Sequence, residues 1–187
     1  VLNVNEVEKI LDCPDTSTKL GLRDKALIEM FYACGLRVSE LINLKVGDLF
    51  FNEEVIRVFG KGSKERLVPI GSSAIKWIEQ YLNKSRPLLV KKTRSENFLF
   101  LNHRGTKLSR MGIWKIVNQN VEAAGIKKEV HPHTFRHSFA THLINGGADL
   151  RAVQEMLGHE SILTTEIYTH LDREYLRQAI IEFHPRK

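Results

Sequence analysis

Six side chains in this 187-residue chain are of types that handle phosphate esters, and their spacing is orderly. In HPHTFRH, His133 and Arg136 stand three apart, which places them on one face of a helix. Farther on, LGHESILTTEIYTH carries His159 and then Tyr168. Near the start, Arg37 in CGLRVSELINL lies between two apolar stretches, where an idle buried charge would be costly. Lys61 opens the basic, glycine-bearing run GKGSKE. Taken singly, each has an ordinary explanation as a cap, a surface charge or a packed ring. Taken together they form a set for phosphoryl transfer. An arginine offers a planar fork that matches two non-bridging phosphate oxygens. Those oxygens gain negative charge in the transition state, and fixed cations stabilise them without a metal. A tyrosine hydroxyl, with a reference pKa of about 10, needs a base or a strong cationic field before it can attack. The leaving alkoxide needs an acid, which a lysine or histidine supplies.

Histidines at 131, 133, 137 and 142 raise a second chemistry. His133 and His137 are four apart, a helical spacing that suits zinc. The general-base glutamate of a metalloprotease helix is missing, because Thr134 stands in its place. No metal and no cofactor are expected.

Elements that must hold these residues are legible from periodicity. Leu22, Ala26, Leu27, Met30, Phe31 and Cys34 share one helical face, and Gly35 follows as a stop. A short helix runs from Val38 to Leu44. Residues 72–83 read as a helix with Ile75, Ile78 and Leu82 inward. Residues 109–124 read as another, capped by Ser109. Residues 133–145 carry Phe135, Phe139 and Leu143 at intervals of four. A helix over 150–157 is capped by Asp149 and ended by Gly158, and the last helix, about 173–183, has Leu176, Ile180 and Phe183 on one side. VIRVF (55–59) and RLVPI (66–70) are β-rich and flank the basic turn, which makes a hairpin. FLFLN (98–102) reads as a third strand, and the basic stretch 84–97 as a connection within one domain. The expected fold is mainly α with a small antiparallel β-sheet.

Bulk properties agree with a soluble globular domain, at 42% hydrophobic and 27% charged residues. The net charge of +6 points weakly to a polyanionic partner. Cys13 and Cys34 are too few for a disulfide framework or a zinc motif. No run reaches the roughly 18 apolar residues of a membrane span, and no secretory signal is visible. Basic residues suited to phosphate contact are Lys61, Lys64 and Arg66 around the hairpin turn, and Arg110 with Lys115 on the 109–124 helix. The opening Val1 suggests a trimmed fragment.

The stretches LRDKALIEMFYACGLRVSELINL, VFGKGSKERLVPIG, HPHTFRHSFATHLINGGADLRAVQEMLGH and TTEIYTHLDREYLR closely resemble the catalytic domain of the tyrosine recombinase (phage integrase) family, and within it the Xer recombinases. The resemblance runs over essentially the whole chain, in the family's order. It implies that Arg37 and Arg136 clamp the scissile phosphate and that Tyr168 attacks it. It implies that His133 is the general base, that Lys61 protonates the 5′-hydroxyl leaving group, and that His159 hydrogen-bonds the phosphate. Glu40, in RVSE, matches an acidic support position. The implied reaction forms a 3′-phosphotyrosine and reverses onto a partner strand, with neither ATP nor metal. The resemblance also implies double-stranded DNA as partner, a homo- or hetero-tetramer on DNA, and a C-terminal segment (about 173–187) that packs on its own chain or docks on a neighbour. It further implies an N-terminal DNA-binding domain absent from this stretch, and a cytoplasmic, nucleoid-associated location. The Xer role, resolution of chromosome dimers, competes with a mobile-element integrase of the same chemistry, a silent DNA-binding module, and a nicking-closing enzyme.

Overall fold

The computed structural model describes residues 1–158 and 170–186, with backbone alone for 170–175, and it is organised around one buried helix. Helix α1 (Val4–Leu11) leads into α2 (Lys19–Cys34), in which every residue from Lys25 to Cys34 is buried. A helix covered on all sides needs neighbours all round. Its polar groups are paired accordingly. Arg23 donates to the Leu101 carbonyl (3.1 Å) and pairs with Asp24, and Lys25 donates to the Leu11 carbonyl (2.6 Å) and lies 3.5 Å from Glu29. Thr18 caps the start through the Gly21 amide, and Gly35 ends the helix with φ +61. A Cβ at Gly35 would sit 2.4 Å from the Phe139 ring, so glycine serves both the left-handed turn and the close approach of a later helix.

The short helix α3 (Val38–Asn43) follows, then the antiparallel strands β1 (Leu49–Phe50), β2 (Val55–Phe59) and β3 (Glu65–Pro69) in that sheet order. Register pairs Val58 with Arg66 and Phe59 with Glu65. Gly62 and Ser63, both at positive φ, make the hairpin turn. Helix α4 (Ser72–Gln80) does not stop near 83 as its periodicity predicts. It widens into a π-helical turn at Tyr81–Ser85 and continues as α5 (Arg86–Leu89). Pro87 has no N–H to offer the carbonyl of Asn83, and the ladder opens just before it. The stretch 84–97 is therefore helical at its start, and Leu89 is buried.

Residues 98–102 do not join the sheet. Phe98 bridges only Lys45, and Leu101 only Lys107. The segment is buried (Leu99, Phe100 and Leu101), but several of its carbonyls are taken by side chains: Phe98 by Arg86, Leu99 by Tyr81, Leu101 by Arg23. The third strand of the sheet is Leu49–Phe50 instead.

The second half is helical: α6 (Arg110–Ala123), capped by Ser109; α7 (Pro132–Asn145); α8 (Leu150–Leu157), between Asp149 and the left-handed Gly158; and α9 (His170–Phe183). Leu176 and Ile180 of α9 are buried on the same chain, which contacts α9 through β3, α7 and α8, and Phe183 packs against that core. The chain thus covers its own C-terminal stripe. Beyond α9, Arg186 pairs with Glu29 and with Glu8 (2.9 Å) and donates to Ser73 (3.2 Å), tying the tail to α1, α2 and α4.

Candidate active site

Glu40 is the centre of the arrangement. It lies in the first turn of α3, and its carboxylate accepts the Arg37 backbone N–H (2.8 Å), which closes the helix start. The same carboxylate faces three guanidiniums. Arg66 holds it by a fork, at 2.5 and 3.0 Å. Arg37 lies at 3.4 Å, and Arg136 at 3.7 Å. Glu40 is 3% exposed, so a charge there would be prohibitive without partners. Burial opposes its ionisation, but the hydrogen bonds and charge of Arg66, the Arg37 amide and the Arg136 charge outweigh burial. They hold the carboxyl below its usual range.

Arg136 is fixed from two other directions. Its guanidinium donates to the Gly35 carbonyl at the end of α2 (2.9 Å) and to the Leu157 carbonyl at the end of α8 (2.6 Å). Both are carbonyls at helix C-termini, where a cation is favoured. Burial and the nearby Arg37 charge lower its pKa to about 10, against the opposing pull of Glu40. Arg37 is the outermost member, with 41% of its side chain exposed. One carboxylate thus orders three arginines, and the positive charge exceeds the negative where Arg37 meets solvent. Such a surplus of fixed, forked donors suits an oxyanion.

Around this cluster the other expected residues take different places. Lys61 and Lys64 are exposed on the turn between β2 and β3. That turn reaches the cluster at Gly60, whose Cβ position would be 3.5 Å from both Glu40 Oε2 and Arg66 Nη1. His133 is exposed in the first turn of α7, one turn before Arg136, with its ring stacked on His131 (centroids 5.4 Å apart). Arg110 and Lys115 are exposed on α6, outside the Glu40 cluster. His159 and Tyr168 lie outside the described residues.

Arg66 requires a correction. Read as a phosphate contact on the hairpin, it is 8% exposed and spends its guanidinium on Glu40 and on the Met156 carbonyl (2.9 Å). The reason is strand alternation. Arg66 shares the inward face of β3 with buried Val68, while half-buried Leu67 points the other way. That signal was present in RLVPI but conflicts with the habit of reading an arginine as exposed.

Among the histidines at 131, 133, 137 and 142, the rings of His131 and His133 stack, but no third ligand among the described residues joins them. His142 is buried, with Nδ1 2.6 Å from the Tyr32 hydroxyl and Nε2 2.8 Å from the Leu2 carbonyl, and His131 lies by Glu129. Among the described residues no three His, Cys, Asp or Glu side chains gather as a metal site would require. No helix among them is long and apolar enough to cross a membrane.

Comparison with known proteins agrees over nearly the whole chain. Residues 1–174 match the model of the phage integrase family. Tyrosine recombinase XerD of Chlorobaculum tepidum is 54% identical over 190 residues, covering 100% of this chain and 62% of the relative. Tyrosine recombinase XerD of Listeria innocua is 52% identical over 186 residues, covering 100% and 63%. The chain therefore spans a little under two thirds of these relatives. The crystal structure of XerA recombinase superposes with a TM-score of 0.75 at 32% identity, covering 100% of this chain and 66% of that one. XerH recombinase bound to its difH substrate before cleavage also gives 0.75, at 34% identity, covering 95% and 52%. The fold is that of these catalytic domains, and the chain belongs to the phage integrase family.

Proposed function

We propose that residues 1–187 are the catalytic domain of a Xer-type site-specific tyrosine recombinase, which cleaves and rejoins double-stranded DNA. The observation that carries this reading is the carboxylate-ordered arginine cluster, Arg37 and Arg136 about Glu40, with the Lys61 turn seated beside it. In the proposed reaction the two guanidiniums hold the non-bridging oxygens of one phosphodiester. Tyr168 oxygen attacks phosphorus, and His133 takes its proton. The phosphorus–O5′ bond breaks as Lys61 delivers a proton to O5′. A 3′-phosphotyrosine remains, and the bond energy is conserved for attack by a partner strand's 5′-hydroxyl. His159 would add a hydrogen bond to the phosphate.

Lys61, Lys64, Arg110 and Lys115 are proposed contacts to the DNA backbone, so affinity should fall steeply with salt. Relatives named as XerD recombinases at more than half identity favour resolution of chromosome dimers over a mobile-element role. The same reading puts the protein on chromosomal DNA in the cytoplasm, at the nucleoid, as a homo- or hetero-tetramer. There the C-terminal helix either keeps its place on its own chain or docks on a neighbour.

The test is covalent trapping. Protein is mixed with supercoiled plasmid in EDTA and stopped with SDS, beside a Tyr168→Phe control. Nicked DNA carrying protein, lost in the control, is the expected outcome. A blank here, repeated with the complete gene product, would sink the recombinase reading in favour of a DNA-binding module.

A further inference from the structure

One buried side chain, Arg66, binds the carboxylate at the centre of the cluster. The Arg66 fork grips Glu40, and through it Arg37 and Arg136. Its Nε donates to the Met156 carbonyl at the end of α8. Its guanidinium also lies against Gly158, where a Cβ would be 2.9 Å from Nη1 and 3.0 Å from Cζ. Gly158 is left-handed (φ +70) and immediately precedes His159 in the chain. Gly60 also lies against the Arg66–Glu40 pair, with its Cβ position 3.5 Å from each, and immediately precedes Lys61. Partners come from positions 26 and 90 residues away in sequence, so no local element explains the arrangement.

We propose that Arg66 is a positioning residue: its guanidinium locks the Arg37–Glu40–Arg136 cluster, the Lys61 turn and the Gly158 end of α8, which directly precedes His159 in sequence, into one frame. This rests on the recombinase reading for its consequence, though not for its geometry. Arg66 touches no substrate. It acts by fixing three described points of the chain: the start of α3, the turn at Gly60 and the end of α8 at Gly158. A lysine would keep the charge but gathers its donors on one nitrogen, so it cannot reproduce two parallel bonds to Glu40 with a separate one to Met156 from the guanidinium edge. Glycine at 158 is part of the device, because any side chain there would be strained at that φ and would displace the guanidinium.

The experiment compares wild type with Arg66→Gln, Arg66→Lys and Gly158→Ala. One measurement needs no activity: amide hydrogen exchange at Gly60, whose N–H bonds the Lys64 carbonyl (2.8 Å), and at Gly158, whose N–H bonds the Glu155 carbonyl (3.2 Å). The other is the single-turnover rate of adduct formation on saturating plasmid, beside DNA affinity. For Arg66→Gln, exchange at both glycines should rise about tenfold while α2 amides hold. The adduct rate should fall about 100-fold, as expected when reacting groups are misplaced by about 1 Å, with affinity within about threefold. Arg66→Lys should recover part of both effects, and Gly158→Ala should repeat the pattern with Arg66 present. Unchanged exchange at Gly60 and Gly158 overturns the proposal, as does exchange that rises equally through α2, or a rate loss that follows DNA affinity. If wild type forms no adduct, and the complete gene product forms none either, the recombinase reading fails, and the exchange measurement still decides the role of Arg66.

Discussion

Two groups of buried charge hold this molecule together, and their sums differ. At the C-terminal tail, Lys25 and Arg186 face the buried Glu29 and the partly exposed Glu8, with the exposed Asp12 3.9 Å from Lys25, so the carboxylates at least balance the cations. At the candidate active site, Arg37, Arg66 and Arg136 face one carboxylate among the described residues, that of Glu40. The balanced group is satisfied as it stands, and its work is to join α1, α2, α4 and the tail. The unbalanced group carries surplus positive charge against a partly exposed Arg37, and Arg136 feels it as a pKa lowered by burial and by Arg37. Similar residues thus serve different ends according to stoichiometry. A balanced group should govern stability, and an unbalanced one should govern the response to anions.

The largest effect expected is at Arg136. Its replacement by alanine removes a forked donor and the caps on α2 and α8. Adduct formation should drop about 10³-fold, comparable with losing a fixed oxyanion donor, and Arg136→Lys should rescue little of it. A folded Arg136→Ala protein that cleaves within tenfold of wild type would break the comparison at its functional end.

The tail should respond in stability instead. Arg186→Met leaves Glu29, which is 1% exposed, short of a partner. Urea titration should show a loss of about 3 kcal/mol, with the adduct rate per folded molecule unchanged within threefold. His184 gives the tail a pH signature. Burial lowers its pKa to about 4 despite a bond to the Tyr32 carbonyl. The unfolded imidazole takes a proton below about pH 6.5, and the buried one only below about 4. Between those values the unfolded chain binds more protons, so stability falls as pH falls, by about 3 kcal/mol across the window. His184→Phe, set among Tyr32 and Phe139, should flatten that slope. An unchanged slope would place the titration elsewhere.

Much of this contrast was legible in the sequence, and the rest was hidden for identifiable reasons. The glycine stops at 35 and 158 and the caps at Ser109 and Asp149 bounded their helices because each acts within four residues. Arg37, Glu40 and Arg136 stood out through residue type and motif, and the structure gathers all three. Arg66 was misread although the alternation of RLVPI turns it inward, because the partners that make a buried arginine tolerable, Glu40 and Met156, lie outside any local window. FLFLN was misread because an apolar run looks alike in a strand and in a buried connection, and only the donors Arg86, Tyr81 and Arg23 decide between them. The π-helical turn leaves no periodic trace, since Tyr81 and Ser85 are buried much as α-helical residues would be. The charge balance of the tail was invisible for the same reason as Arg66: Arg186 and Glu8 are separated by nearly the whole chain.

The smallest effect expected separates the two groups most directly, because it needs neither DNA nor chemistry. Sulfate is a tetrahedral dianion with oxygens placed like those of a phosphodiester. If surplus charge at Arg37 and Arg136 makes an anion seat, sulfate should bind the folded chain and leave the unfolded chain alone. At tenfold above its dissociation constant, one such site adds about 1.4 kcal/mol to stability. Sulfate also stabilises proteins generally by exclusion from their surfaces, so the raw shift in melting temperature is not enough. The decisive quantity is the difference between variants at equal ionic strength. Arg37→Ala should remove the saturable part of the shift and keep the linear part. Arg186→Met should start from a lower melting temperature and keep both, because its group has no surplus charge to offer. If Arg37→Ala retains the saturable part, the surplus does not bind anions, and the Glu40 cluster would be structural like the one at the tail.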